Sequence, residues 1–259
     1  MPKLQKLNRT TPAAGRTPSH RASVINLNEA KGEISLGEQV YAKIKDDIIT
    51  CVFAPGESCS ESQLAERYGV SKAPIRWALA ALSRERLITP RARQGYIVAP
   101  LTMKSVKDLF ELRTILESAA ARLAAGRIDM AKLKSFNPRL AKYDVNDRKR
   151  KVDWIMANQE FHLEIARATG NEWLYQAILN GLEETRRVIH VSLSVPEKIR
   201  AMANDHTDIV EALAKGDGEK AAHFSAIHIG KSLDAVLAAM LNSSAVQRAN
   251  FDGRTIAVK

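Results

Sequence analysis

The stretch from Ser60 to Leu82 limits the fold more than any other part of this 259-residue chain. Ser60-Glu61-Ser62-Gln63 has the spacing of a capping box, in which the serine hydroxyl accepts from the Gln63 amide and Gln63 reaches back to the Ser60 amide. That pattern opens a short helix, and Gly69 closes it, since glycine is at ease in the left-handed conformation that ends helices. Ser71 offers a second N-cap after only two intervening residues. Pro74 then falls in the first turn of the next helix, where its missing N–H costs little. Ile75, Ala78, Leu79 and Leu82 share one apolar face. Two helices across a tight glycine turn make a helix-turn-helix.

The flanks complete a unit spanning 34–100. Val40, Ile44 and Ile48 recur every four residues, with Tyr41 and Val52 beside them, and predict an amphipathic helix ending before Pro55-Gly56. After the helix-turn-helix, Leu87-Ile88-Thr89 and Tyr96-Ile97-Val98 are β-prone runs around Pro90–Gly95, a hairpin with a basic tip. A helix-turn-helix followed by such a hairpin is a winged helix. Residues 1–33 are basic and aperiodic and read as a disordered arm, either a flexible terminus with no role of its own or, on the sharper reading, one that adds non-specific phosphate affinity. From 101 to 242 the pattern is helical, with breaks near Gly126, Pro138, Gly170-Asn171, Val195-Pro196 and Gly216-Asp217-Gly218. About six helices with short connections predict an antiparallel bundle. Residues 243–259 lose periodicity and read as a flexible tail. The expected fold is mainly α: a winged helix-turn-helix and an all-α bundle.

Charge narrows the partner. The chain has 39 Lys and Arg against 29 Asp and Glu, a net charge of +10. Between Lys72 and Arg93 six basic residues (Lys72, Arg76, Arg84, Arg86, Arg91, Arg93) face one acid, Glu85. Lys72 and Arg76 lie one turn apart, away from the apolar face. A helix N-terminus carrying Ser71, Lys72 and Arg76 suits a major groove, and the wing tip from Arg91 through Arg93 to Gly95 can approach the adjacent groove or backbone. Aromatic residues are only 5%, which argues against stacking on single strands. Cys51 and Cys59 form neither a CxxC pair nor a disulfide framework, so a zinc ribbon is excluded and a reduced, cytoplasmic setting is expected. No stretch approaches ~20 consecutive apolar residues, so no membrane span is expected.

The bundle carries polar residues on stripes that should face inward. Val106, Leu109, Phe110, Arg113, Leu116, Glu117 and Ala120 form the first stripe, which includes an arginine and a glutamate one turn apart. Trp154, Ile155, Asn158, Phe161, His162 and Ile165 form another. His206 lies inward with Ile199, Met202, Ile209 and Leu213, and His228 with Ala221, Phe224 and Ala235. Three histidines and an asparagine from three helices can converge in one core, and neutral imidazole suits zinc or nickel. An inward Arg113 can hold a carboxylate bidentately. Each histidine taken alone also fits a hydrogen-bonded core or surface role. Arg186 and Arg187 read as a solvated pair, with help in binding an acid as the alternative.

The residues from Pro55-Gly56 through Leu64-Ala65-Glu66-Arg67-Tyr68-Gly69-Val70-Ser71-Lys72-Ala73-Pro74-Ile75-Arg76 to Gly95-Tyr96-Ile97-Val98 closely resemble the winged helix of GntR-family bacterial transcription regulators. The resemblance implies DNA contacts from Ser71, Lys72, Ala73 and Arg76, Gly95 in the wing, and Arg67 on the backbone. Arg113-x-x-Leu116-Glu117, Asn158-x-x-Phe161-His162, Thr169-Gly170-Asn171, His206 and His228 resemble the FCD effector domain of the FadR subfamily. That resemblance implies a divalent metal held by His162, His206 and His228, with Asn158 where many members have Asp, and a small carboxylate effector at Arg113. A neutral amide is a weaker metal ligand than a carboxylate. The expected function is an effector-responsive repressor, a homodimer on a pseudo-palindromic duplex. The rival reading is a helical metalloenzyme built on the three histidines. It lacks a positioned general base, since Arg113 would neutralise Glu117.

Overall fold

The computed structural model describes residues 34–93, 95–142, 144, 147–192 and 206–242. The expected arm, the tail and the break at Val195-Pro196 lie outside the described residues.

The head begins with α1 (Leu36–Ile49), capped reciprocally by Ser35 and Glu38. Its Val40, Ile44 and Ile48 are buried. The predicted Ser60–Gln63 capping box opens α2 (Glu61–Tyr68), and Gly69, at φ 68°, ends it. α3 (Lys72–Arg84) buries Ile75, Ala78, Leu79 and Leu82 against α1 and α2. Ser71 occupies the N-cap position, but its hydroxyl makes no capping bond, contrary to the sequence expectation. Asp47 of α1 is buried and satisfied, accepting from Lys43 at 2.6 Å and from the Tyr68 hydroxyl at 2.7 Å.

The wing is a three-stranded antiparallel sheet, β1 (Ser58–Cys59), β2 (Ile88–Arg91) and β3 (Gly95–Val98), in the order β1-β3-β2. The predicted hairpin forms, with Arg91 opposite Gly95 and Thr89 opposite Ile97. β1 was not predicted, because two residues are too few to show a period. Gly95 has a reason internal to the sheet: its φ is 81°, and a Cβ there would lie 2.6 Å from the Cys59 carbonyl oxygen. Trp77 packs edge-on to Tyr41 of α1, with ring centroids 6.2 Å apart, and lies over Gly37.

The bundle contains α4 (Met103–Ala124), α5 (Met130–Lys134), α6 (Asn137–Leu140), α7 (Arg148–Ala168), α8 (Glu172–Ser192), α9 (helical residues 206–214) and α10 (Gly218–Asn242). The break expected near Pro138 falls between α5 and α6, and Pro138 sits in the first turn of α6, where no intrahelical donor is needed. α4 and α10 run antiparallel. Arg122 near the end of α4 pairs with Glu219 at the start of α10, and Val106 and Phe110 at the start of α4 cluster with Val236 and Met240. By length and composition alone α10 is apolar enough to cross a membrane, although the sequence has no unbroken apolar run of that length. It packs along α4 and buries His228 and Ser232, as a core helix does. The head has its own apolar cluster, and two further clusters fill the bundle.

Candidate DNA-reading face and buried polar cluster

Ser71, Lys72, Ala73 and Arg76 are all exposed at the start of α3, on the side opposite its buried stripe. Amphipathic spacing produces this: the apolar residues hold the helix down and leave the basic ones outward. Arg91 and Arg93 are exposed on the hairpin. Arg76 is not idle, since its Nε donates to Glu61 at 2.8 Å, across from the first turn of α2. Arg67 is set apart from this group. Its guanidinium lies 4.6 Å from the Phe53 ring centroid and 3.9 Å from Asp47, so it serves the packing of the head.

In the bundle, the inward stripes meet as expected. Arg113, Glu117, Asn158, His162, His206 and His228 are all buried. Their neighbours along each helix are apolar, and this periodicity carries the polar members inward with them. One nitrogen from each of the three histidines lies within 4.8 Å of the others. The ring centroids are 5.6 Å apart for His162 and His206, 5.1 Å for His162 and His228, and 4.4 Å for His206 and His228. The Phe161 ring stands against His206 at 4.6 Å.

Glu117 links the parts. Its carboxylate accepts from Arg113 Nε at 2.6 Å and from His162 Nδ1 at 2.8 Å. Burial works against its charge, but the Arg113 cation and then His162 outweigh burial and hold its pKa at about 2. In a neutral His162 imidazole, donation from Nδ1 leaves Nε2 as the lone-pair nitrogen. Nε2 has no hydrogen-bond partner among the described residues, and neither do His228 Nδ1 and Asn158 Oδ1. Burial, followed by the neighbouring His206 and His162, pushes the His228 pKa well down, so this imidazole is neutral. Arg113 Nη1 also donates to Thr185 Oγ1 at 3.3 Å. Neutral imidazoles with open nitrogens, one of them oriented by a carboxylate, fit a borderline divalent metal. The Glu117–His162 bond and Thr185 were not found from the sequence, because each joins separate helices. Arg187, read as solvated, is fully buried.

Residues 36–98 match the profile described as bacterial regulatory proteins, gntR family, and residues 108–231 match the FCD domain. The chain belongs to the GntR family. Its GntR-type head and FCD domain are those of helix-turn-helix transcription regulators, which bind DNA operators and are not enzymes. The chain is 28% identical over 185 residues to the HTH-type transcriptional repressor RspR of Escherichia coli K12, covering 71% of this chain and 81% of that protein. It is 29% identical over 185 residues to the Nta operon transcriptional regulator of Aminobacter aminovorans, covering 71% and 87%. The fold matches that of E. coli McbR/YncC with a TM-score of 0.68 at 20% identity, covering 80% of this chain and 99% of that one.

Proposed function

We propose that this GntR-family regulator represses transcription by binding, as a homodimer, a pseudo-palindromic operator, and that a small organic acid bound in its FCD domain changes operator affinity. Residues 34–100 are the DNA-binding head and 101–242 the effector and dimerisation domain. Ser71, Lys72, Ala73 and Arg76 enter the major groove, and Arg91, Arg93 and Gly95 form the wing contact. The name of RspR as a repressor supports the sign of the effect.

The observation that carries the effector reading is the buried cluster. An unpartnered buried polar group costs about 1–3 kcal/mol. A bundle core that keeps His162 Nε2, His228 Nδ1 and Asn158 Oδ1 without hydrogen-bond partners among the described residues is suited to a ligand that supplies them. His162, His206 and His228 would hold a divalent ion such as zinc or nickel, with Asn158 as a weaker oxygen donor. A bound ion would supply a Lewis-acid anchor for one carboxylate oxygen of the effector. Glu117 keeps His162 in the tautomer that exposes Nε2. Arg113 places a guanidinium beside the cluster to attract the effector's negative charge. Occupancy then shifts the population of head placements and so the affinity for DNA.

The test combines metal analysis with ligand screening. Wild-type protein loaded with zinc or nickel and then desalted is expected to retain metal, and His206→Ala with His228→Ala to lose it. Small carboxylates are expected to raise the melting temperature of the metal-loaded wild type. Metal retained by the double variant removes the ligand set. A flat carboxylate screen, with and without metal, removes the effector class.

A further inference from the structure

Helix α8 has two working faces. Gly181, Thr185 and Val188 face α4. A Cβ on Gly181 would lie 3.4 Å from the Arg113 side chain, Thr185 accepts from Arg113, and Val188 joins the cluster of Val106 and Phe110. A second face, carrying Glu183, Glu184 and Arg187, meets the head. Glu183 pairs with Lys45 of α1 at 2.7 Å, and Lys45 pairs in turn with Glu85 at 3.0 Å. Glu85 is the C-cap residue of α3, the helix that carries Lys72 and Arg76, and it also accepts from the Tyr41 hydroxyl. Arg187 is wholly buried. It pairs with Glu184 at 3.0 Å and donates through Nη2 to the carbonyl of Ala99, in the connection between wing and bundle. The Ala99 amide is bonded to Leu87 at 2.9 Å, so this connection is clamped from both sides.

Burial explains why these contacts are more than surface decoration. Lys45 is only 18% exposed and has a carboxylate on each side. Burial disfavours its charge, but the bonds to Glu183 and Glu85 overcome this and hold its pKa above the usual lysine value. A fully buried guanidinium with one carboxylate and one carbonyl is costly to break, because either partner would be left uncompensated. Beside these contacts a cleft of about 730 Å³ separates Arg86 and Leu87 of the head from Leu109, Leu112 and Ala177 of the bundle. The two domains therefore meet here through a few polar pins beside a gap, not through a continuous packed wall.

We propose that Lys45, Glu183 and Arg187 are positioning residues that tie the angle of the recognition helix to the state of the bundle site. α8 carries the link, since Thr185 senses Arg113 two residues before Arg187 fixes the connection. A rigid helix cannot shift one face without shifting the other. Displacement of Arg113 by a ligand is therefore felt at Lys45–Glu85, the far end of α3. This inference rests on the effector reading above and adds the route by which it acts.

The test uses Glu183→Gln and Lys45→Met, near-isosteric changes outside both the DNA face and the polar cluster, in the full chain. DNA is a duplex selected by the wild-type protein from a random pool, and the probe is zinc ion alone. Wild type is expected to change its affinity about fivefold or more with zinc. Either variant is expected to keep its metal content and to bind the duplex, but with the zinc ratio reduced toward one. A variant that keeps the wild-type ratio overturns the proposal. If zinc leaves wild-type affinity unchanged, the metal-response reading fails, and hydrogen exchange without metal decides the positioning claim. Release of the pins is then expected to speed exchange of the Ala99 amide about tenfold. Unchanged exchange in both variants overturns it. Arg187→Lys serves as the conservative control: it keeps the charge but loses the two-armed geometry, and it is expected to reproduce the faster exchange.

Discussion

Arg113 and Glu117 illustrate how one residue pair carries both stability and function. Both are buried within a core whose other members are largely apolar. Replacing Arg113 alone with alanine leaves the buried Glu117 carboxylate with only its bond from His162 and is expected to lower stability by about 3–5 kcal/mol. Arg113→Met with Glu117→Gln removes both charges and should lose clearly less. Urea denaturation of Arg113→Met, Glu117→Gln and the double variant checks this, and a double loss equal to the sum of the two single losses would show that the pair is not coupled. An Arg113→Ala protein that fails to respond to an effector is therefore a poor probe of binding by itself, because its stability falls as well. The inward placement of Arg113, His162, His206 and His228 was legible because helical period 3.6 assigns faces residue by residue. The partner of each side chain was not. Glu117 reaches His162 and Arg113 reaches Thr185 across helices, and nothing local encodes those meetings.

Elements differ in how much of them the sequence reveals. Capping at Ser60, the stop at Gly69 and the β-prone run Tyr96-Ile97-Val98 are local signals, and α2, α3 and the hairpin followed from them. β1 and the two-faced character of α8 were hidden, because a two-residue strand has no period and a second helix face is defined by another domain. The Ser71 hydroxyl makes no capping bond, contrary to expectation, and Ser71 is exposed. The same local view missed the bond from Arg76 to Glu61, which joins α3 to α2. That bond sets a two-sided prediction at the level of the recognition element. Arg76→Ala is expected to weaken operator binding about tenfold or more, as loss of one guanine contact does. Glu61→Gln, which frees Arg76 and removes a negative charge near the phosphates, is expected to strengthen binding severalfold at most, since exposed ion pairs are worth about 0.2–1 kcal/mol. Fluorescence anisotropy at fixed salt measures both. A Glu61→Gln variant that binds more weakly would mean that Glu61 orients Arg76 for DNA.

For the whole molecule, the decisive quantity is where the net charge of +10 resides. The segment from Lys72 to Arg93 concentrates six basic residues against one acid, and residues 1–33 hold six basic and two acidic residues. The helical half is close to neutral, with Arg122, Arg139 and Arg167 engaged by acids of their own domain. Residues 34–71 carry three basic residues against six acids, so the head as a whole is only +2 and attraction to DNA is generated locally, by the basic face of α3 and the wing; salt dependence can then count heads. If each head places about four cations on phosphates, a homodimer neutralises roughly eight, and log affinity should fall against log salt with a slope near −7. A single head should give about half that slope. Titrating the full chain against one operator between low and physiological salt distinguishes the two. A shallow slope that persists at protein concentrations well above the dissociation constant would remove the two-headed complex. A steep slope that halves when one half-site is scrambled would support it, because only two-fold symmetry makes the second head depend on the second half-site.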